Sequence, residues 1–102
     1  MTQERWNSLS LFEQMSNIGG EVDRLIYSKK NYDSGTVDKN YVNSYFKKIA
    51  DLIYYTISDP KNAKRGRELL DELYEVERYT MGEVDEQYIS SYWNQYTEAI
   101  SR

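Results

Sequence analysis

Four carboxylates within eight residues are where this chain comes nearest to catalytic chemistry. The run Glu68-Leu69-Leu70-Asp71-Glu72-Leu73-Tyr74-Glu75-Val76-Glu77 spaces Glu68 from Asp71, and Glu72 from Glu75, by three positions. On an α-helix that spacing puts both members of a pair on one face. Helical nucleotide pyrophosphatases use such pairs, with a second pair on another helix, to hold Mg²⁺ against a polyphosphate, because a hard cation takes oxygen ligands. Glu68, Asp71, Glu72 and Glu75 would therefore carry a Mg²⁺-dependent nucleotide hydrolysis. A second pair is hard to find. The helix expected at 10–30 offers Glu13, Glu21 and Asp23, while Glu83 and Glu86 straddle a linker. If Leu69, Leu70, Leu73 and Val76 turn inward, Glu68, Asp71 and Glu75 face water. The plainer expectation is a solvated helix face, with Glu77, Glu21 and Glu72 at its inner edge and Glu77 in reach of Arg24. On this reading no catalytic residue, metal ligand or cofactor is assigned.

Two other groups could bind rather than react. Lys61, Lys64, Arg65 and Arg67 cluster near the start of the third helical segment, where the helix dipole disfavours cations. A phosphate or an acidic partner docking on exposed amides would account for them. So would pairing one turn apart, Lys64 with Glu68 and Arg67 with Asp71. The eleven tyrosines are the second group. Tyr45, Tyr92 and Tyr96 belong to apolar helix stripes, and Tyr41, Tyr55, Tyr79 and Tyr88 fall on stripe edges. Tyr27, Tyr54 and Tyr74 fall off them. Tyrosine offers large contact area at low entropic cost and keeps a polar tip, which suits a protein interface. Tyr27, Tyr54, Tyr74, Tyr55 and Tyr79 are the interface residues this predicts; scattered amphipathic surface residues are the alternative.

The elements that must hold these groups are helices. In 41–57, Val42, Tyr45, Phe46, Ile49, Leu52, Ile53 and Thr56 recur at helical spacing and form one stripe. Leu11, Phe12, Met15, Ile18, Gly19, Val22, Leu25 and Ile26 repeat the pattern, as do Gly66, Leu69, Leu70, Leu73, Val76 and Thr80. Ile89, Tyr92, Trp93, Tyr96, Ala99 and Ile100 form the last stripe. Ser10 and Glu13 match a capping box, Asp38 and Asp85 can cap, and Gly82 can stop a helix. Asp59-Pro60 ends one helix and can open the next. Residues 1–9 read as a lead-in whose Trp6 covers a core end, and 31–38 as a loop. Gly19 on its stripe predicts close helix packing, with a kink as the alternative.

Composition limits the rest. Hydrophobic residues are 39% and charged residues 29% of the chain, which fits a single folded domain over 1–102. There is no His and no Cys, which removes the commonest general base, thiol nucleophiles and disulfides. The net charge of −4 argues against a nucleic-acid partner, although interleaved Tyr is what stacking on RNA bases would require. No apolar run approaches the ~20 residues of a membrane span, and no secretory pattern opens the chain, so a cytoplasmic protein is expected.

Arg5-Trp6-Asn7-Ser8-Leu9-Ser10-Leu11, Glu13-Gln14 and Asn17-Ile18-Gly19-Gly20-Glu21-Val22 with Arg24, followed by Asp59-Pro60 and the leucine-rich segment from Leu69 to Arg78, carry a resemblance. The pattern resembles a loose group of small bacterial and archaeal helical proteins to which no activity is assigned. The resemblance covers most of the chain; it implies an all-helical fold and carries over no catalytic residue.

The expected fold is all-α, an antiparallel up-down-up-down four-helix bundle with helices at about 10–30, 39–58, 61–81 and 86–100. The expected function is non-enzymatic: protein–protein interaction, with a partner or with itself as a homodimer, through a Tyr-bearing helix face. The Mg²⁺-dependent hydrolase is the alternative, and RNA binding through 61–67 a weaker one.

Overall fold

Helix starts follow the capping residues. In the computed structural model, which describes residues 1–100 and the side chains of 1–98, Ser10 Oγ accepts from the Glu13 amide at 3.1 Å, and Glu13 Oε1 accepts from the Ser10 amide at 3.0 Å. This reciprocal pair opens a helix at Leu11. Asp38 accepts from the Asn40 amide at 2.8 Å, and Asp85 from the Tyr88 amide at 3.2 Å. The elements are α1 (Gln3–Asn7), α2 (Leu11–Asp33), α3 (Lys39–Ile57), a single 3₁₀ turn (Pro60–Asn62), α4 (Gly66–Thr80) and α5 (Glu86–Ile100). The protein is all-helical, with no strand among the described residues.

Two helices end on a left-handed glycine. Gly35 has φ 84° and Gly82 φ 78°. After each, the next amide reaches back into the last turn: Thr36 N to Asn31 O at 2.8 Å, and Glu83 N to Arg78 O at 2.9 Å. Both glycines also bond back, to Tyr32 O and Tyr79 O, which completes two Schellman motifs.

The structure corrects three boundaries. Residues 1–9 are not a plain lead-in: Gln3–Asn7 is helical, and Thr2 Oγ1 caps it by accepting from the Arg5 amide at 3.2 Å. Residues 31–33 are not loop. Lys29 and Asp33, one turn apart at 2.7 Å, extend α2 to the Gly35 stop. The helix expected from 61 instead begins at Gly66. Asp59 caps only the 3₁₀ turn, because buried Asn62 is anchored by Gln14 Oε1 and Thr56 O, both at 2.9 Å. The chain must re-aim at Arg65 before α4 can start.

α2 packs against α3 and α5, α4 packs against the same two helices, and α1 lies on α3. The core joins Met15, Ile18, Val22 and Leu25 of α2 with Ile49 and Ile53 of α3, Leu69 and Val76 of α4, and Ile89 and Trp93 of α5. Each such side chain contributes about 1.5–3 kcal/mol when fully buried. α2 supplies the most, and it also buries Gln14, Ser16, Glu21 and Ser28; this helix, more than α3, is central. Small residues let its neighbours approach. A Cβ on Gly19 would lie 2.7 Å from Thr97 Cγ2 and 3.5 Å from Trp93 O, so Gly19 marks close packing. Trp6 closes one end of the core, its indole N–H donating to Thr56 Oγ1 at 2.9 Å. The stripe positions Ala99 and Ile100 lie outside the described side chains.

Candidate functional site

α4 borders two grooves, one against each neighbouring helix. The larger, about 670 Å³, runs between α4 and α5. Asp71, Glu72, Tyr74 and Glu75 line one side of it, and Tyr88, Ser91, Tyr92 and Gln95 the other. The smaller, about 320 Å³, lies between α3 and α4 and is lined by Phe46, Ala50, Tyr54, Leu70, Leu73, Tyr74 and Glu77. Tyr74 borders both.

The acids stand apart in their partners. Glu68 Oε2 accepts from Arg65 Nη2 at 2.5 Å and from the Tyr92 hydroxyl at 2.9 Å. Arg65 also donates to the Tyr96 hydroxyl at 3.4 Å. The bond to the Tyr96 hydroxyl is the largest effect holding the Arg65 guanidinium more basic than usual, and Glu68 adds to it. Burial, then the bond to Glu68, raises the Tyr92 phenol. Glu75 accepts from Arg78 Nη1 at 3.2 Å. Glu72 lies half-buried between these pairs. Burial first, then the charges of Glu75, Glu68 and Asp71, push its carboxyl up to about 7.

Glu68 and Asp71 are exposed, as a solvated face predicts, and Glu72 is half-buried at its inner edge; Asp71, Glu72 and Glu75 nevertheless line one groove between helices. They face tyrosine, serine and glutamine on α5, not a second carboxylate pair. Among the described residues no three Asp or Glu side chains are grouped as a metal site. The expected contacts of Glu77 and the local basic residues also differ. Arg24 pairs with Glu21 at 2.6 Å, while Glu77 is exposed at the α3/α4 groove. Arg65, not Lys64, takes Glu68, since it stands at the helix entry with Tyr96 behind it. Lys61 pairs with Asp59 and donates to Asn7 O at 3.1 Å. Lys64 and Arg67 are exposed. Two of the four clustered cations are therefore already engaged within the fold.

The five interface tyrosines separate. Tyr54 and Tyr74, 55% and 57% exposed, both line the α3/α4 groove. Tyr55 is half-buried, its hydroxyl donating to Met1 O at 3.2 Å. Tyr27 is 70% exposed on α2 and borders neither groove. Tyr79 is a correction: it is only 6% exposed. It lies under Lys29, whose Nζ is 5.3 Å from the ring centroid, and burial, with Glu86 and Asp33 nearby, pushes its phenol up to about 12. An edge position on a short helix suffices to bury a ring when a neighbouring helix crosses there.

The sequence reading missed the apolar partners of Tyr54 and Tyr74. Leu70 was assigned to the core stripe, yet it is 45% exposed and lies in the α3/α4 groove with Phe46. The available signal was the adjacent pair Leu69-Leu70, which successive 100° helix steps turn to different faces. Tyr88, Ser91 and Gln95 were also missed, because nothing local on α5 marks the side facing the α4 acids. Comparison of the chain with protein-family models, with curated proteins and with solved structures finds no match.

Proposed function

We propose that this protein is an antiparallel four-helix bundle that acts by protein–protein interaction through its α3/α4 face. Paired residues that approach in opposite chain order support the topology: Gln14 with Asp59 and Glu21 with Lys48 between α2 and the α3 side; Ser16 with Tyr96 and Lys30 with Glu86 between α2 and α5; Arg65 with Tyr96 and Glu68 with Tyr92 between α4 and α5. α1 then acts as an added cap on one end.

The observation that carries the interaction reading is one contiguous face. Phe46, Tyr54, Leu70, Leu73 and Tyr74 lie side by side, three of them among the exposed large hydrophobic residues. Two helices pointing leucine and tyrosine to the same patch of solvent form the amphipathic, aromatic surface that interface centres favour. A second copy of the chain or another protein can cover it.

The test uses Tyr54→Ala and Tyr74→Ala, singly and together. Association is read by sedimentation velocity of the chain alone and by photo-crosslinking from position 50 in host extract. The variants should weaken association and leave the melting temperature nearly unchanged, because both rings are more than half exposed. If they unfold the protein while association persists, the rings serve the core and the proposal fails.

The shared groove of Asp71, Glu72 and Glu75 keeps the hydrolase reading as a second one. Mg²⁺ keeps several waters and needs only one or two carboxylates, and Ser91 and Gln95 are polar groups of α5 that line the same groove.

A further inference from the structure

Two of the chain's own guanidinium groups show how the α4/α5 groove treats a cation. At one end, Arg78 Nη1 is 3.2 Å from Glu75 Oε2, and its Cζ lies 5.9 Å from the centroid of the Tyr74 ring. At the other, Arg65 Nη2 is 2.5 Å from Glu68 Oε2 and 3.4 Å from the Tyr96 hydroxyl, and the same Glu68 oxygen accepts from Tyr92. Each end is a carboxylate and a tyrosine holding an arginine. Between them stand Asp71 and Glu72 with Tyr88 and Tyr92. That is the same combination, but among the described residues neither carboxylate forms an ion pair. The middle of the groove thus holds two carboxyl groups that no cation of the fold pairs among the described residues, beside aromatic walls and in a cleft open to solvent.

We propose that the α4/α5 groove binds an arginine side chain of a partner polypeptide, its guanidinium lying against the Tyr88 and Tyr92 rings and bonding to Glu72 and Asp71. Charge complementarity selects the occupant. A planar guanidinium stacks on tyrosine and meets a carboxylate with two parallel N–H bonds, whereas an ammonium is a compact and strongly hydrated point charge. The volume of about 670 Å³ is within the range that accommodates a bound side chain with its flanking backbone. This surface is separate from the α3/α4 face. Only Tyr74 borders both, and the variants below avoid it.

The experiment is fluorescence anisotropy with a labelled glycine–serine peptide carrying two arginines, against the same peptide carrying two lysines. The arginine peptide should bind about tenfold more tightly than the lysine one. Glu72→Gln and Tyr88→Ala should each reduce its affinity by about tenfold, while Tyr88→Phe, which keeps the ring, should not. Glu4→Gln, on α1, removes a charge far from the groove and serves as the control. Tyr88 is exposed and Glu72→Gln removes like-charge repulsion, so both variants should fold, which circular dichroism checks. Equal affinity for the two peptides, an equal loss in Glu4→Gln, or no binding of either peptide would overturn the proposal. The first two results would reveal only diffuse attraction to an acidic protein.

Discussion

Glu72→Gln also tests the α4/α5 seam without any ligand. The variant keeps the side chain's shape and removes its charge. In the folded protein burial and the neighbouring Glu75, Glu68 and Asp71 move the Glu72 carboxyl from 4.5 to about 7. At 1.36 kcal/mol per pH unit, that gap corresponds to about 3 kcal/mol. The side chain is only partly buried, and screening reduces the effect to roughly 1 kcal/mol. The sign follows from proton linkage. The folded protein binds this proton more tightly than the unfolded chain does, so the stabilisation is complete below the unfolded value. It is lost as pH rises through the interval up to about 7, and the curve then levels. The assay is urea and thermal unfolding of both proteins at about pH 5 and about pH 8. The glutamine variant should be the more stable at the higher pH, by roughly 4–8 °C in melting temperature. The advantage should shrink or vanish at the lower pH. The difference between the proteins isolates Glu72 from Asp23, whose carboxyl burial also raises. An advantage equal at both pH values, or none at the higher one, would refute the reasoning.

Gly19→Ala should lower stability by about 1–2 kcal/mol, because the new methyl meets Thr97 Cγ2 at 2.7 Å. Its neighbour Gly20, with nothing within 4 Å of the added carbon, should gain up to about 1 kcal/mol from the same change; paired melts decide. Trp6→Phe removes the bond to Thr56 and leaves a gap at the core end, for an expected loss of about 1–3 kcal/mol in urea unfolding. Mg²⁺ at saturating concentration should leave the melting temperature unchanged if the protein is only a binder. A rise that disappears in Glu72→Ala would instead favour the hydrolase.

Much of the helical framework was legible because local signals and the fold agree. Ser10-Leu11-Phe12-Glu13 reads as a capping box and forms one, and Asp38, Asp85 and Gly82 act where their side-chain chemistry or backbone freedom predicts. What stayed hidden depends on contacts distant in sequence. Nothing near Asn62 reveals that it will bond to Gln14 and delay α4 to Gly66. Periodicity also gives the direction of a stripe more reliably than its width. Leu70 sits at the margin and faces out, while Tyr79, also at a margin, is covered. The grooves follow from which stripe margins end up adjacent, and that is decided between helices. The acids were visible as a run, but the tyrosines of α5 opposite them were not.

The hydrogen bonds joining Trp6, Gln14, Thr56, Asp59 and Asn62 have a consequence that the apolar core lacks. Greasy surfaces tolerate sliding: α3 could shift along α2 by one turn, ~5.4 Å, and still bury leucine against isoleucine. Directional bonds do not tolerate it, since each donor would lose its acceptor in a place water does not reach. This polar clasp therefore works as a vernier, permitting one alignment of the helices and refusing those a turn away.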